Sequence, residues 1–164
     1  MMTRRNTLFS LGAVMAAIVG LGGLFQSKPT LAARGYEVTR SDAEWEKLLS
    51  SDQYRVLRKG ETETPYTSPL NKEKRTGAFT CAACTLPLFS SLTKFESGTG
   101  WPSFWQPLTK DTVVEETDST LGMKRTEVLC HRCGGHLGHV FDDGPKPTGL
   151  RYCMNGVAMN FKAA

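Results

Sequence analysis

Several classes of protein are excluded by what the chain lacks. With 164 residues it can form one modest core but not two. Outside the N-terminal segment there is no basic run interleaved with aromatic residues, the pattern expected of a nucleic-acid binder. Low-complexity segments are also missing, and the only internal repeat is a doubled Cys-x-x-Cys pattern. We therefore expect a single domain with no nucleic-acid partner.

Acidic residues are absent from the first 33 positions, whose basic residues are Arg4, Arg5 and Lys28, so the formal charge of +4 falls to +1 without this segment. The two arginines are followed by the apolar stretch "LFSLGAVMAAIVGLGGLF" and the small residues of "TLAA", the order of an export signal. The surrounding "TRRNTLF" resembles a twin-arginine signal, which favours export to the periplasm. We interpret residues 1–33 as a cleaved leader of this type and residues 34–164 as the mature domain. A Sec leader and a retained membrane anchor are the alternatives, because the apolar stretch is nearly long enough to span a bilayer.

Two short helices are predicted at the start of the mature domain. The segment "SDAEWEKLLS" opens with a capping box, in which the Ser41 hydroxyl and the Glu44 carboxylate each satisfy a backbone N–H group of the other residue. A second helix follows and ends at Gly60, with Ser51 or Asp52 as its cap.

Strands are predicted from residue 77 onward. The polar segment before them, residues 61–77, has two prolines and no steady period, so we expect a surface loop that wraps the core. Short runs rich in β-branched or aromatic residues then alternate with Gly, Pro and Asp, which predicts a mainly β domain. The runs are "GAFTC", "LPLFSS", "TVVEE", "MKRTEVLC", "HVFDDG" and "LRYCMNGVAMNF", and the third and fourth are predicted to form a hairpin around "TDSTLG".

Four of the five cysteines form two pairs separated by 45 residues, Cys81-Ala-Ala-Cys84 and Cys130-His-Arg-Cys133. Two such knuckles converge into a tetrahedral four-thiolate zinc site, and Gly134 and Gly135 allow the backbone to fold around the sulfurs. Disulfides, which export favours, and redox pairs are the alternatives. We favour structural zinc because two redox pairs in one small chain would be unusual and because twin-arginine export carries folded proteins. His131, inside the second knuckle, is predicted to be exposed and not a ligand.

The fifth cysteine, Cys153, lies in "GLRYCMNG". If this stretch is a strand, its period of two places Arg151, Cys153 and Asn155 on one face. A guanidinium near the thiol favours the thiolate, which is the reactive form of cysteine. A buried structural thiol is the alternative, and we consider it the weaker one because a buried face does not normally include an arginine.

His136 and His139 lie in the glycine-rich segment "GGHLGHVFDDGP". The glycines indicate a sharp turn, so the two histidines need not point apart as they would on a straight strand. An acid–base role beside Asp142 and Asp143 and a purely structural role are equal alternatives at this point.

Trp101 follows two glycines and precedes Pro102, so we expect it on a rigid turn. An indole face on a turn can form the wall of an apolar pocket for a methyl group or a sulfur atom. The alternative is a core position, which is the role we assign to Phe104.

These motifs occur together in one known family. From about Asp42 to Phe161 the chain resembles the methionine-R-sulfoxide reductases of the B type, through "GTGWPSFW", the two Cys-x-x-Cys knuckles, "CGGHLGHVFDDGP" and "RYCMN" in the family's order and spacing. The resemblance implies a mainly β fold of coiled antiparallel sheets, Mss4-like or β-tent in type, with short N-terminal helices and a structural zinc site. It also implies the reduction of methionine R-sulfoxide, peptide-bound or free, in the repair of oxidised proteins under oxidative stress.

The resemblance makes Cys153 the nucleophile that becomes a sulfenic acid, and it makes Trp101 the residue that holds the substrate's methyl group. The other residues implied to line or support the site are His136, His139, Asn155, Arg151 and Asp143. The implied partners are an oxidised protein or peptide as substrate and a thioredoxin-like protein or a small thiol as reductant, and we expect a monomer.

Two positions depart from the family pattern. Thr99 stands where many members carry a recycling cysteine, which puts the usual intramolecular disulfide step in question. Gly156 replaces the serine that is common after the asparagine. A rival hypothesis is a zinc-binding module of the same architecture without catalysis, which explains the four paired cysteines but neither the Arg151–Cys153 face nor the two histidines.

Overall fold

The structure, a computed structural model, describes residues 35–119, 122 and 124–164. The predicted leader, residues 1–33, and its boundary with the domain lie outside these described residues. Among the helices within them, none is both long and apolar enough to cross a membrane.

The first helix, α1 (Asp42–Leu48), begins at the predicted capping box. The Ser41 backbone N–H donates to the Glu44 carboxylate, and the Glu44 backbone N–H donates to the Ser41 hydroxyl. Trp45 of this helix is fully buried, and the guanidinium carbon of Arg58 lies 4.9 Å from the centroid of its ring. The contact joins α1 to the second helix.

The second helix, α2 (Ser51–Lys59), has its cap one residue earlier than predicted. Ser50 and Gln53 form a second capping box, so the prediction of Ser51 or Asp52 was wrong. The Ser50 hydroxyl is the acceptor that reaches the third helical N–H, which neither neighbouring residue can do from its own position. The predicted end is confirmed, because Gly60 adopts the left-handed conformation with φ 73°.

Two antiparallel sheets hold the nine strands of the described residues. In the smaller sheet, β1 (Gly77–Cys81) lies between β2 (Pro87–Ser90) and β9 (Met159–Ala163). The larger sheet has the order β3 (Lys94–Phe95), β4 (Ser103–Phe104), β8 (Arg151–Met154), β7 (His136–Phe141), β6 (Arg125–Cys130) and β5 (Val113–Asp118). All pairings in both sheets are antiparallel. The prediction of a mainly β fold with short leading helices is confirmed.

The final predicted run, "LRYCMNGVAMNF", is two strands in different sheets. β8 ends at Met154, and a 3-10 turn over Gly156–Ala158 directs the chain into β9. Asn155 therefore lies at the start of this turn. The prediction that it shares a strand face with Arg151 and Cys153 had placed it within the strand. The predicted hairpin is confirmed, with Asp118 of β5 opposite Arg125 of β6.

An aromatic cluster fills the space between the two sheets. The Phe104 ring stacks on Phe89 at 4.5 Å and meets Phe79 edge-on at 4.9 Å, and the Phe89 ring lies 5.8 Å from Tyr152. Each fully buried ring contributes about 2–3 kcal/mol. Because Tyr152 and the buried Met154 face this core, the alternation of β8 turns Cys153 to the opposite face.

Candidate active site and metal centre

The two Cys-x-x-Cys knuckles have the same backbone geometry. The first joins β1 to β2, and its Thr85 N–H donates to the Cys81 carbonyl at 2.9 Å. The second joins β6 to β7, and its Gly134 N–H donates to the Cys130 carbonyl at 2.8 Å. Both turns end on a residue with positive φ, 60° at Thr85 and 67° at Gly134. This geometry turns each pair of sulfurs toward the other pair.

The four sulfurs meet in one cluster and could hold a metal ion. The Sγ atoms of Cys81 and Cys133 are 3.7 Å apart, those of Cys84 and Cys130 are 3.5 Å apart, and all four lie within 4.8 Å of one another. A disulfide needs about 2.05 Å. Tetrahedral zinc with bonds of about 2.3 Å places its sulfurs about 3.8 Å apart, so the cluster fits a four-thiolate metal site. His131 is exposed beside it, as predicted.

Cys153 is half-buried at the centre of a row of side chains that crosses the larger sheet. In the register it lies opposite His139 of β7 on one side and Ser103 of β4 on the other. Opposed residues of antiparallel strands point to the same face of the sheet, so His139 and Ser103 share the face of the thiol.

A register irregularity brings the two histidines together. Val128 pairs with Gly138 and Leu129 with His136, so the pairing skips Leu137. The rings of His136 and His139 consequently lie 5.4 Å apart. The segment is a strand with an irregularity and not the sharp turn that the glycines suggested, although the expected convergence of the histidines is observed.

The close packing of β7 against β8 requires a glycine at position 138. A side chain there would collide with the Cys153 carbonyl, and its Cβ would lie 3.0 Å from the Cα of Met154. The absence of a side chain lets β7 approach β8 at the position of the thiol.

The carboxylates that orient the histidines come from the β5–β6 hairpin. His139 Nε2 lies 3.1 Å from Asp118 Oδ2, which also accepts a hydrogen bond of 2.7 Å from Arg125. His136 Nδ1 lies 2.7 Å from Glu127 Oε1. The carboxylates bonded to the histidines are thus Asp118 and Glu127, whereas Asp143, nearby in the sequence, pairs with Arg151.

Burial lowers the pKa of His139 below its usual value of 6.5, while the hydrogen bond with Asp118 acts in the opposite direction. Electrostatic repulsion from Arg125 and from the neighbouring His136 adds to the lowering of the His139 pKa. The His139 imidazole is therefore protonated at lower pH than an ordinary histidine, mainly because it is buried, and Asp118 opposes this shift.

Arg151 forms a two-point ion pair with Asp143, in which its Nε and Nη2 atoms each donate at 2.8 Å. It is only 9% exposed and its guanidinium lies 4.5 Å from the Phe141 ring centroid. The assumption that an arginine marks an exposed face was therefore wrong, because this one is buried and reaches an exposed counter-ion at the surface. The hydrogen bond with Asp143 and, to a lesser degree, the Cys153 sulfur raise the pKa of Arg151.

Asn155 and Trp101 are joined through one loop residue. The Asn155 side chain donates to the Leu137 carbonyl at 3.1 Å and accepts from the Glu63 N–H at 2.9 Å. The Trp101 indole N–H donates to the Glu63 carbonyl at 3.1 Å. Trp101 is partly buried, whereas Phe104 is fully buried, as predicted.

The two positions that depart from the family pattern both have defined contacts. Thr99 Oγ1 lies 3.7 Å from Cys153 Sγ, so position 99 adjoins the Cys153 thiol. A side chain at Gly156 would collide with the Ser68 hydroxyl and lie 2.6 Å from its Cβ. The Ser68 side chain thus occupies the space that a serine at position 156 would need.

Asp118, Glu127 and Glu63 were missed by sequence reasoning. Asp118 and Glu127 lie in the predicted hairpin. Their signal in the sequence was an acidic residue within or next to a predicted strand. No sequence signal marked Glu63, because its contacts depend on how a loop with no regular period packs against distant strands.

Comparison with known proteins agrees with this geometry. The SelR domain matches residues 49–163, which include every site residue named above. A peptide methionine sulfoxide reductase MsrB from Leptospira interrogans is 55% identical over 127 residues, which cover 77% of this chain and 97% of that protein. The corresponding MsrB proteins of Methanosarcina barkeri and Agrobacterium fabrum are 55% and 53% identical, over 76% and 77% of this chain and 88% and 93% of their own lengths. The chain therefore belongs to the SelR domain family.

Proposed function

We propose that this protein is an oxidoreductase that reduces the R epimer of methionine sulfoxide in oxidised peptides and proteins, with Cys153 as nucleophile. Membership of the SelR family and the names of the relatives support methionine sulfoxide reduction. The observation that carries the assignment of the nucleophile is the half-buried Cys153 thiol, which shares its sheet face with His139 directly opposite.

The reaction moves one oxygen atom from the substrate to the enzyme. The Cys153 thiolate attacks the sulfoxide sulfur while the sulfoxide oxygen takes a proton. The hydroxyl then passes from the substrate sulfur to the Cys153 sulfur, the sulfur–sulfur bond formed by the attack breaks, and methionine leaves while Cys153 remains as a sulfenic acid. The sulfoxide gains two electrons, and the thiol loses them.

His139 is proposed to supply the proton, with His136 beside it. The hydrogen bond with Asp118 holds the His139 ring in place and supports its protonated form. Arg151, with Asp143 as its counter-ion, provides a fixed positive charge on the face of Cys153. Asp143 offsets part of that charge through the two hydrogen bonds.

Trp101 and Asn155 are proposed to orient the substrate. The Trp101 indole is fixed through its N–H and offers its face to the methyl group on the sulfoxide sulfur. The buried Asn155 amide is held by Leu137 and Glu63, so it presents a fixed dipole at the end of the strand that carries Cys153.

Recycling is proposed to use an external thiol. Four of the five cysteines cluster with one another, and the side chain at position 99 beside Cys153 is a threonine hydroxyl, which cannot form a disulfide. A thiol of a thioredoxin-like protein or of a small molecule then attacks the sulfenic acid, which releases water and forms a mixed disulfide. A second thiol reduces that disulfide and regenerates Cys153.

The four-cysteine cluster is proposed to bind structural zinc. The ion would cross-link the β1–β2 turn to the β6–β7 turn and so stabilise the fold. On the sequence pattern of residues 1–33 alone, we also propose export to the periplasm through a twin-arginine-type signal.

The test is turnover of dabsyl-methionine R-sulfoxide and S-sulfoxide with dithiothreitol, measured for the wild type and for Cys153→Ser. We expect reduction of the R epimer only, and none with the variant. Reduction of the S epimer would refute the assignment of specificity, and full activity of Cys153→Ser would refute the nucleophile. Failure of the wild type on both epimers, with metal bound, would favour the non-catalytic binding module.

A further inference from the structure

Glu63 uses both its side chain and its backbone to bind the active-site region. Its carboxylate accepts hydrogen bonds from the backbone N–H groups of Gly156, at 3.0 Å, and Val157, at 2.7 Å. These amides begin the 3-10 turn that follows Asn155, where N–H groups have no partner within the turn. A carboxylate on two such donors forms strong, charge-assisted hydrogen bonds.

The backbone of the same residue contacts two predicted substrate-orienting side chains. The Glu63 N–H donates to Asn155 Oδ1 at 2.9 Å, and the Glu63 carbonyl accepts from the Trp101 indole N–H at 3.1 Å. Trp101 and Asn155 lie in segments 54 positions apart in the sequence, and Glu63 lies on a third segment. Glu63 therefore sets the position of the Trp101 indole relative to the Asn155 amide.

The loop can approach this closely because position 156 is glycine. A Cβ on Gly156 would lie 3.2 Å from Glu63 Oε1 and would collide with the Ser68 hydroxyl. The loop from Glu63 to Ser68 thus packs directly on the backbone of the turn. A shift of the carboxylate would move the Glu63 backbone, and with it the hydrogen-bond partners of both side chains.

We propose that Glu63 is a positioning residue for methionine sulfoxide reduction, whose carboxylate holds its own backbone in the place that orients the Trp101 indole and the Asn155 amide. The inference rests on the proposed function for its effect on turnover. Glu63 acts through these two neighbours and through the turn, and it supplies no proton or charge to the reacting atoms.

The experiment compares Glu63→Ala and Glu63→Gln with Glu61→Ala as a matched control. Glu61 lies in the same loop but pairs with Arg55 of α2. For Glu63→Ala we expect kcat/KM for the R-sulfoxide to fall on the order of 10²-fold, since small displacements of positioning groups have effects of this size. Glu63→Gln keeps one acceptor oxygen and should lose less, and Glu61→Ala should match the wild type.

A double-mutant cycle separates positioning from a general loss of stability. Trp101→Phe removes the indole N–H, so in that background Glu63→Ala should cost at least about threefold less than in the wild type. Independent effects that multiply in the double variant would overturn the proposal, as would equal losses for Glu61→Ala and Glu63→Ala.

A spectroscopic measurement tests the geometry without turnover. The chain has three tryptophans, and the Trp101 indole N–H resonance should shift and exchange faster with solvent in Glu63→Ala, while those of Trp45 and Trp105 stay in place. An unchanged Trp101 resonance would overturn the proposal even if activity fell. If Glu63→Ala does not fold, the same comparison is made with Glu63→Gln. If the wild type does not reduce the R-sulfoxide, the proposed function is refuted. The Trp101 resonance would still show whether Glu63 positions the indole.

Discussion

Asp118 lies 3.1 Å from His139 and at the same time 2.7 Å from Arg125, so one carboxylate is shared between an imidazole and a guanidinium. Asp118 is buried, and side-chain exposure is 7% for the aspartate and 13% for the histidine. In such surroundings a charge acts strongly on its neighbours. Asp118 raises the pKa of His139 and Arg125 lowers it, on top of the lowering by burial.

Replacement of Asp118 by asparagine should shift the pH dependence of the chemical step. The neutral amide lacks the negative charge that supports protonated His139, so the pKa of the imidazole should move further below 6.5. Sulfenic acid formation that needs the protonated ring declines as the pH rises through this pKa, so in Asp118→Asn the decline should begin at lower pH. Single-turnover rates between about pH 5 and 9 measure the shift.

The loss at neutral pH in Asp118→Asn should be smaller than that in His139→Ala, for which we expect a fall on the order of 10²-fold or more. Asp111→Asn is the matched control, because Asp111 is exposed at the entry to the same strand. An unchanged pH profile in Asp118→Asn would show that His139 does not supply the proton.

Removal of one knuckle cysteine should release the metal and destabilise the fold. Cys84→Ser leaves three thiolates around the cluster, so we expect less metal per chain and a loss of several kcal/mol in the free energy of unfolding. Metal analysis of the purified protein and urea unfolding measure both. Cys153→Ser is the matched control, since it also removes one sulfur but should keep the metal and the stability of the wild type. Metal content unchanged by Cys84→Ser would exclude the four-cysteine site.

Local patterns were enough to predict the helices, the hairpin and the cysteine cluster. A capping box, a turn between two alternating runs and a Cys-x-x-Cys spacing each act within a few residues, so the sequence displays them directly. The partners of His136 and His139 could not be predicted in this way. They depend on the register of β6 against β7 and on the residue skipped at Leu137, which are properties of the whole sheet.

The same distinction between local patterns and tertiary contacts explains why the burial of Arg151 and the contacts of Glu63 were not predicted. The alternation of β8 correctly predicted that Arg151 and Cys153 share a face, but the burial of that arginine depends on Asp143 in the preceding loop. Glu63 lies in a segment without periodicity, and its partners are 38 to 94 positions away in the sequence. Contacts of this kind arise from tertiary packing and leave no local signal.

The contact between Ser68 and Gly156 predicts a compensating pair of substitutions. Gly156→Ser alone should lower both the stability and the activity, because the new side chain would collide with Ser68 and displace the loop that carries Glu63. Ser68→Gly frees that space, so the double variant should recover most of the loss. Urea unfolding and R-sulfoxide turnover of the four proteins measure the coupling. Additive effects of the two substitutions would show that the positions do not compete for the same space.

The last prediction concerns the recycling of Cys153. Thr99 Oγ1 is 3.7 Å from Cys153 Sγ, so a sulfur at position 99 would lie next to the sulfenic acid. In the wild type, one equivalent of methionine R-sulfoxide without reductant should leave a sulfenic acid on Cys153, seen by intact mass as a single dimedone adduct with the metal retained. In Thr99→Cys the introduced thiol should attack that sulfenic acid, release water and form a disulfide, so the adduct should disappear.

Thr99→Ser is the matched control for this experiment, because it keeps a hydroxyl at the same position and cannot form a disulfide. It should give the same dimedone adduct as the wild type. A disulfide in the wild type that expels the metal would show that a knuckle cysteine resolves the sulfenic acid. A dimedone adduct that persists in Thr99→Cys would show that the two side chains do not meet during turnover. With the expected result, the residue at position 99 decides whether the sulfenic acid reacts directly with an external thiol or first forms an intramolecular disulfide.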